Sequence, residues 1–120
     1  MTSVLAAASV GLASPASAAP RYCVPVAAYV DLGKQIADLP ASDQLSPEQQ
    51  IEYDRITSEM DRVARQAYRA MRANGSDSAL RLARAWRGHA LADSGTLWDY
   101  IQSGFKADKI IRARCGFGLA

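Results

Sequence analysis

Histidine occurs once and cysteine twice in the 120 residues, and these two scarcities remove much catalytic and metal chemistry at the outset. One imidazole, His89, leaves a single base for any Ser-His-Asp arrangement, and no GxSxG elbow surrounds a serine. Two thiols and one imidazole cannot fill a Cys/His zinc set. A phosphate-binding glycine loop, a dinucleotide fingerprint and a calcium loop are also missing. Acidic residues are plentiful, but no spacing sets a catalytic carboxylate pair apart from solvated ones. No stretch alternates apolar and polar residues over strand length, and the β-branched residues are scattered, so the pattern excludes a sheet. The function class left is binding rather than catalysis.

Long apolar runs are scarce too. The run Val4 to Ala13 has ten residues, the length of a signal-peptide core and too short to span a bilayer. Ala16 and Ala18 stand three and one residues before a cleavage ahead of Ala19. A cut one residue later would place Pro20, with its rigid ring and missing N–H, directly after the scissile bond. No Lys or Arg precedes the run, which leaves open a start further upstream or a plain Ala/Ser leader. Residues 1–18 are expected to be an export signal, and 19–120 a single helical domain, secreted or associated with the cell envelope. Arg21 and Tyr22 precede Cys23 where a lipid-attachment cysteine needs small or aliphatic neighbours. Cys23 and Cys115 then form an even pair of thiols in an oxidising compartment. A bridge between them would restrain nearly the whole unfolded chain, worth up to about 4.5 kcal/mol. In a cytosolic chain the alternative is two free buried thiols.

Helical periodicity appears four times, which predicts an all-α four-helix bundle or orthogonal helical array closed by one terminal disulfide. The first helix starts at Pro25 and stops before Pro40, with Val26, Tyr29, Val30, Gly33, Ile36 and Ala37 on one face. Gly33, in the middle of that face, reads as a point of close approach to another helix. Ser46-Pro47-Glu48-Gln49 opens the second helix with an N-cap, a Pro at the first helical position and a capping-box partner, and Asn74-Gly75 ends it. Its apolar stripe is Tyr53, Ile56, Met60, Val63, Ala67 and Met71. The third helix runs from Ser76 or Asp77 to about Ala90, with Ala79, Leu82, Ala83, Trp86 and Ala90 on one face, before a break at Asp93-Ser94-Gly95. The fourth, from about Thr96 to Arg114, is expected to bury Leu97, Trp98, Ile101, Gly104 and Phe105. Past Gly104 its pattern loses coherence, which predicts a bend.

The formal net charge of +2 conceals a polarity: Asp31 to Asp61 holds eight acidic and two basic residues, Arg62 to Arg114 eleven basic and four acidic. The seven arginines Arg62, Arg65, Arg69, Arg72, Arg81, Arg84 and Arg87 are a candidate anion-binding surface for nucleic acid, anionic lipid headgroups or an acidic envelope polymer. Export removes nucleic acid from that set. The third helix, basic and carrying Trp86, is also a candidate to lie on a membrane surface. Read without a partner, the arginines are a solvated outer face, and the two charged regions pair with each other across the bundle. Self-association of acidic with basic regions is the intermolecular version of the same pairing.

His89 lies at the edge of the third helix's apolar face. As a haem ligand, with Tyr29, Tyr53, Tyr68 or Tyr100 opposite, it would make the chain a carrier of haem or another small apolar ligand. As a residue following Gly88 near a helix end, it would cap or face solvent. No other cofactor and no metal is expected. Asp108 falls at the centre of the fourth helix's apolar arc if that helix is straight, with Arg112 placed to pair with it, which makes the two a candidate buried polar anchor. If the helix turns after Gly104, Asp108 is wet.

In layout, Cys23 and Cys115-Gly116 resemble the bounds of small exported helical domains of actinobacteria, which open with a cysteine after the leader and close with Cys-Gly at the end of the last helix. The resemblance spans Cys23 to Gly116. It implies export and an all-α fold, and it implies no activity.

Overall fold

Local signals fix most helix ends in the computed structural model, which describes residues 19–91 and 95–119. Four α-helices follow in order: α1 (Cys23–Ala37), α2 (Pro47–Asn74), α3 (Asp77–Ala90) and α4 (Leu97–Cys115), with a 3₁₀ turn at Ser42–Gln44 between the first two. The signal-peptide reading of residues 1–18 lies outside the described residues, as do Asp93 and Ser94 of the expected break.

α1 begins two residues earlier than the proline suggested. The carbonyls of Pro20 and Arg21 accept from the N–H groups of Cys23 and Val24. Pro25 therefore falls within the first turn, where a helix has no internal partner for its N–H groups and a missing donor costs little. At the start of α2 the capping box is complete: the Gln49 N–H donates to Ser46 Oγ at 3.1 Å, and the Ser46 N–H donates to Gln49 Oε1 at 2.9 Å. Gly75, at φ 76°, ends α2 in the left-handed region. Ser76 then caps α3 at once by accepting from the Ala79 N–H. Thr96 caps α4 through the Asp99 N–H, and Gly116, at φ 82°, ends it.

Sequence-adjacent helices pack on one another, and α4 returns to α1 through the Cys23–Cys115 disulfide, whose Cα atoms are 5.6 Å apart across a sequence separation of 92. The main core gathers Tyr22 and Val26 at the bridged end, Ala64, Ala67 and Met71 of α2, Ala79, Leu82, Ala83 and Trp86 of α3, and Ala107 and Ile111 of α4. A smaller cluster of Leu32, Ile56 and Val63 joins the second half of α1 to the first half of α2. Trp86 is fully buried, and its indole N–H donates to the Ala64 carbonyl at 2.9 Å. That bond satisfies the ring's one polar atom and ties α3 to α2. The edge of Tyr29 meets the same indole at a centroid distance of 5.0 Å.

Three expectations need correction. The apolar stripe expected to bury α4 faces outward: Leu97 is 74 % exposed, Trp98 65 %, Phe105 73 % and Ile101 39 %. The helix runs unbroken to Cys115 and meets the core through Ala107 and Ile111 instead, on a different arc. The glycine of close approach is Gly104, not Gly33. A Cβ at residue 33 would meet only the Met60 Cε at 4.0 Å, whereas one at residue 104 would stand 3.0 Å from His89 Nδ1. Last, among the described residues the ion pairs Arg55–Glu52, Arg62–Glu59, Arg65–Asp61 and Arg112–Asp108 do not cross the bundle. Each of these lies three or four residues apart within one helix.

Candidate functional site

Helical spacing on α3 and α4 brings two basic stripes face to face. Ser78, Arg81, Arg84 and Ala85 line one wall of a groove of about 610 Å³, and Ser103, Lys106, Lys109, Ile110, Ala113 and Arg114 line the other. The small side chains Ala85, Ser103 and Ala113 leave the surface concave between the long cations. Five cations border the groove, and among the described residues no acidic one lines it. A second groove of about 520 Å³ shares Arg84, Ser103 and Lys106 and continues past Arg87 to Trp98 and Asp99. Arg84 also lines the cleft between α2 and α3, with Arg72, Arg87 and Tyr68. It is thus the cation common to three concavities.

The seven-arginine surface divides on this geometry. Arg62 and Arg65 are matched by Glu59 and Asp61 on the same helix, the first as a two-pronged pair, so their charge is compensated on the α2 face. The hydrogen bond from Arg62 is the main cause that holds Glu59 below the usual carboxylate range. Arg72 donates to the Tyr68 hydroxyl at 3.0 Å, which pulls that phenol's pKa down. Arg69 stands exposed on α2, away from the α3–α4 groove lining. Arg81 and Arg84 enter the groove, and Arg87 its extension. Sequence reasoning missed Lys106, Lys109 and Arg114. Their spacing along one side of α4 carries the signal, masked by the apparent loss of pattern after Gly104. Trp86, the residue that recommended α3 as a membrane-lying helix, is inside the core, so α3 offers a membrane its arginines but no aromatic anchor.

On the other side of α4, His89 is packed between rings. Tyr100 stacks on it at 5.3 Å and Tyr29 stands edge-on at 6.4 Å. Its Nδ1 is buried without a hydrogen-bond partner among the described residues, facing the bare Cα of Gly104. Burial pushes the imidazole pKa below its ordinary value, and the Asp108 carboxylate opposes that shift. Burial, and secondarily Tyr100, raises the Tyr29 phenol. The adjoining cavity holds about 280 Å³ among His89, Tyr100, Ile101, Gly104, Phe105, Asp108 and Leu119, just under the range of about 300–1,000 Å³ typical of ligand pockets. Of the four tyrosines considered as second haem ligands, Tyr29 and Tyr100 flank the imidazole. Tyr68 belongs to the α2–α3 cleft and Tyr53 to the first half of α2.

Asp108 and Arg112 do pair, Nε to Oδ2 at 2.8 Å, but at the surface: their side chains are 28 % and 56 % exposed. The other carboxylate oxygen accepts from the Leu119 N–H at 2.8 Å. Of the two readings of Asp108, the structure has the wet one, on a helix that nonetheless continues past Gly104: the pair is a half-exposed clamp that pins the C-terminal tail to α4. The Arg112 hydrogen bond, then the Leu119 N–H, hold the Asp108 pKa low.

Among the described residues no helix is long and apolar enough to cross a membrane, and no group of three His, Cys, Asp or Glu could hold a metal ion. No protein-family model, curated protein or solved structure matches the chain.

Proposed function

We propose that this chain is an exported binding module that holds a polyanionic ligand in the groove between α3 and α4. The observation that carries the reading is the one-signed lining: Arg81, Arg84, Lys106, Lys109 and Arg114 border one concavity with no carboxylate among them. Like charges gathered around a groove repel, and an arriving anion relieves that repulsion while releasing counterions. Arginine also presents a fork of donors suited to phosphate and carboxylate oxygens. The Cys23–Cys115 bridge and the apolar leader support an oxidising compartment outside the cytoplasm.

Titration with linear inorganic polyphosphate, followed by tryptophan emission and repeated over a range of salt, tests the reading. Trp98 borders the extension of the groove and is the exposed reporter, whereas Trp86 is buried. Binding is expected to weaken with salt. The double variant Arg84→Ala/Lys106→Ala should lose about tenfold in affinity, at up to about 1 kcal/mol per exposed pair, while Arg62→Ala/Arg65→Ala should lose little. Equal loss in both variants, or binding indifferent to salt, would refute the groove as the site.

A further inference from the structure

Large apolar side chains on a folded surface carry information when they are contiguous. Val24, Ile51 and Leu80 are exposed singly, on three different helices. Leu97, Trp98, Ile101 and Phe105 are different: they fall at helical spacing on one arc of the first half of α4, and all four are exposed. They give the helix an amphipathic face that the core does not use. The helix meets the core through Ala107 and Ile111, further along and on another side.

We infer that this stripe, with the cations beside it, docks the protein on the surface of an anionic lipid bilayer. The inference rests on the groove reading above and specifies its partner. Charge complementarity selects the occupant. Trp98 shares one concavity with Arg84, Arg87 and Lys106, with Asp99 as the single carboxylate among its described lining, and Lys106 directly follows Phe105 in the chain. An interfacial helix needs this pairing: apolar and aromatic side chains at the level of the acyl boundary, and cations at the level of the phosphates. The docking is peripheral, since no described helix is long and apolar enough to span. A second copy of the chain fits worse. A two-fold contact through the stripe would bring the two sets of Arg84 and Lys106 toward each other, like charge against like charge.

The test uses the oxidised chain and vesicles of phosphatidylglycerol mixed with phosphatidylcholine, with pure phosphatidylcholine as the uncharged control. Trp98 emission should shift to the blue and be quenched by lipids brominated near the acyl boundary, on the anionic vesicles only. Leu97→Ser/Phe105→Ser should lower partitioning on the order of a hundredfold while leaving polyphosphate affinity unchanged. Arg84→Ala/Lys106→Ala should weaken partitioning by roughly 25-fold, about fivefold per cation near an anionic surface. Far-UV circular dichroism of each variant confirms that these surface changes leave the helices intact. Vesicle binding without the blue shift or quenching would overturn insertion of the stripe. Polyphosphate binding with no vesicle binding would overturn the bilayer as partner while leaving the groove reading standing. A concentration-dependent dimer abolished by Leu97→Ser/Phe105→Ser, with no vesicle binding, would assign the stripe to self-association instead.

Discussion

The two helical glycines of α1 and α4 allow a subtraction that isolates packing from backbone propensity. Gly33 and Gly104 both lie inside helices, where glycine costs about 1 kcal/mol relative to alanine. Each Gly→Ala change recovers about that amount. At residue 33 the new methyl would meet the flexible end of Met60 at 4.0 Å, an ordinary contact, so Gly33→Ala should stabilise by close to the full gain. At residue 104 the methyl would stand 3.0 Å from Nδ1 and 3.4 Å from Cε1 of His89. The imidazole has little freedom to retreat, because Tyr100 is stacked on one side and Tyr29 and Trp86 crowd it on others. Overpacking of this kind costs about 1–3 kcal/mol, which cancels or reverses the propensity gain. The propensity terms drop out of the difference, so the two variants should be separated by the overpacking cost alone. For a domain of this size each kcal/mol moves the melting temperature by about 4–8 °C. Gly33→Ala should therefore melt above the parent, and Gly104→Ala at or below it. Repeating Gly104→Ala in a His89→Ala background should restore the gain, since the clash has lost its partner. Equal stabilisation by the two alanines would refute the placement of His89 against α4.

Two further outcomes follow from the bridge and from the lone histidine. Cys23→Ala/Cys115→Ala should cost about 4.5 kcal/mol in urea unfolding, from the loop closed across a separation of 92; a cost below about 1 kcal/mol would mean that packing alone holds α4 to α1. Because burial lowers the His89 pKa in the folded state despite the opposing Asp108 carboxylate, the unfolded chain takes up that proton first as pH falls. The histidine's contribution is complete above about pH 6.5 and declines below it toward the lower folded pKa. The melting temperature should fall between pH 7 and pH 5, a window containing no second histidine, and His89→Gln should flatten that slope.

What was legible in the sequence is what short-range chemistry decides. Ser46, Pro47 and Gln49 announce the start of α2, and Asn74-Gly75 its end, because caps and left-handed turns involve only neighbours. The stripes of α2 and α3 were legible because each helix has one apolar arc and an opposed charged one. α4 has two candidate arcs, Leu97/Trp98/Ile101/Phe105 and Ala107/Ile111. Hydrophobicity favours the first, and the structure uses the second. Periodicity shows that an arc exists; which arc meets the core depends on where the end of α3 and the bridged start of α1 place the helix. The same shortfall hid half of the groove. Arg81 and Arg84 were visible on α3, but Lys106, Lys109 and Arg114 join them only once the pairing of α3 with α4 is known.

The unused apolar arc bears on how the fold carries the face proposed for binding. α4 gives the fully buried core only Ala107 and Ile111, both in its second half, with partly buried Ile110 beside them. The first half has its large apolar side chains in solvent, while the cations that α4 gives to the groove, Lys106, Lys109 and Arg114, run from the middle of the helix to its end. That exposure does little to hold the first half in place; its contacts with α3 include Tyr100 stacked on His89 and Gly104 against the same ring. More attachments gather at the other end: the disulfide at Cys115, Ala107 and Ile111 in the core, and the Asp108 clamp on the Leu119 N–H. A helix fixed at one end can expose an apolar, cation-flanked segment at the other without the core having to absorb it. The bridge that closes the chain thus offsets an exposed apolar surface that adds little to stability, the surface proposed above to dock on a bilayer.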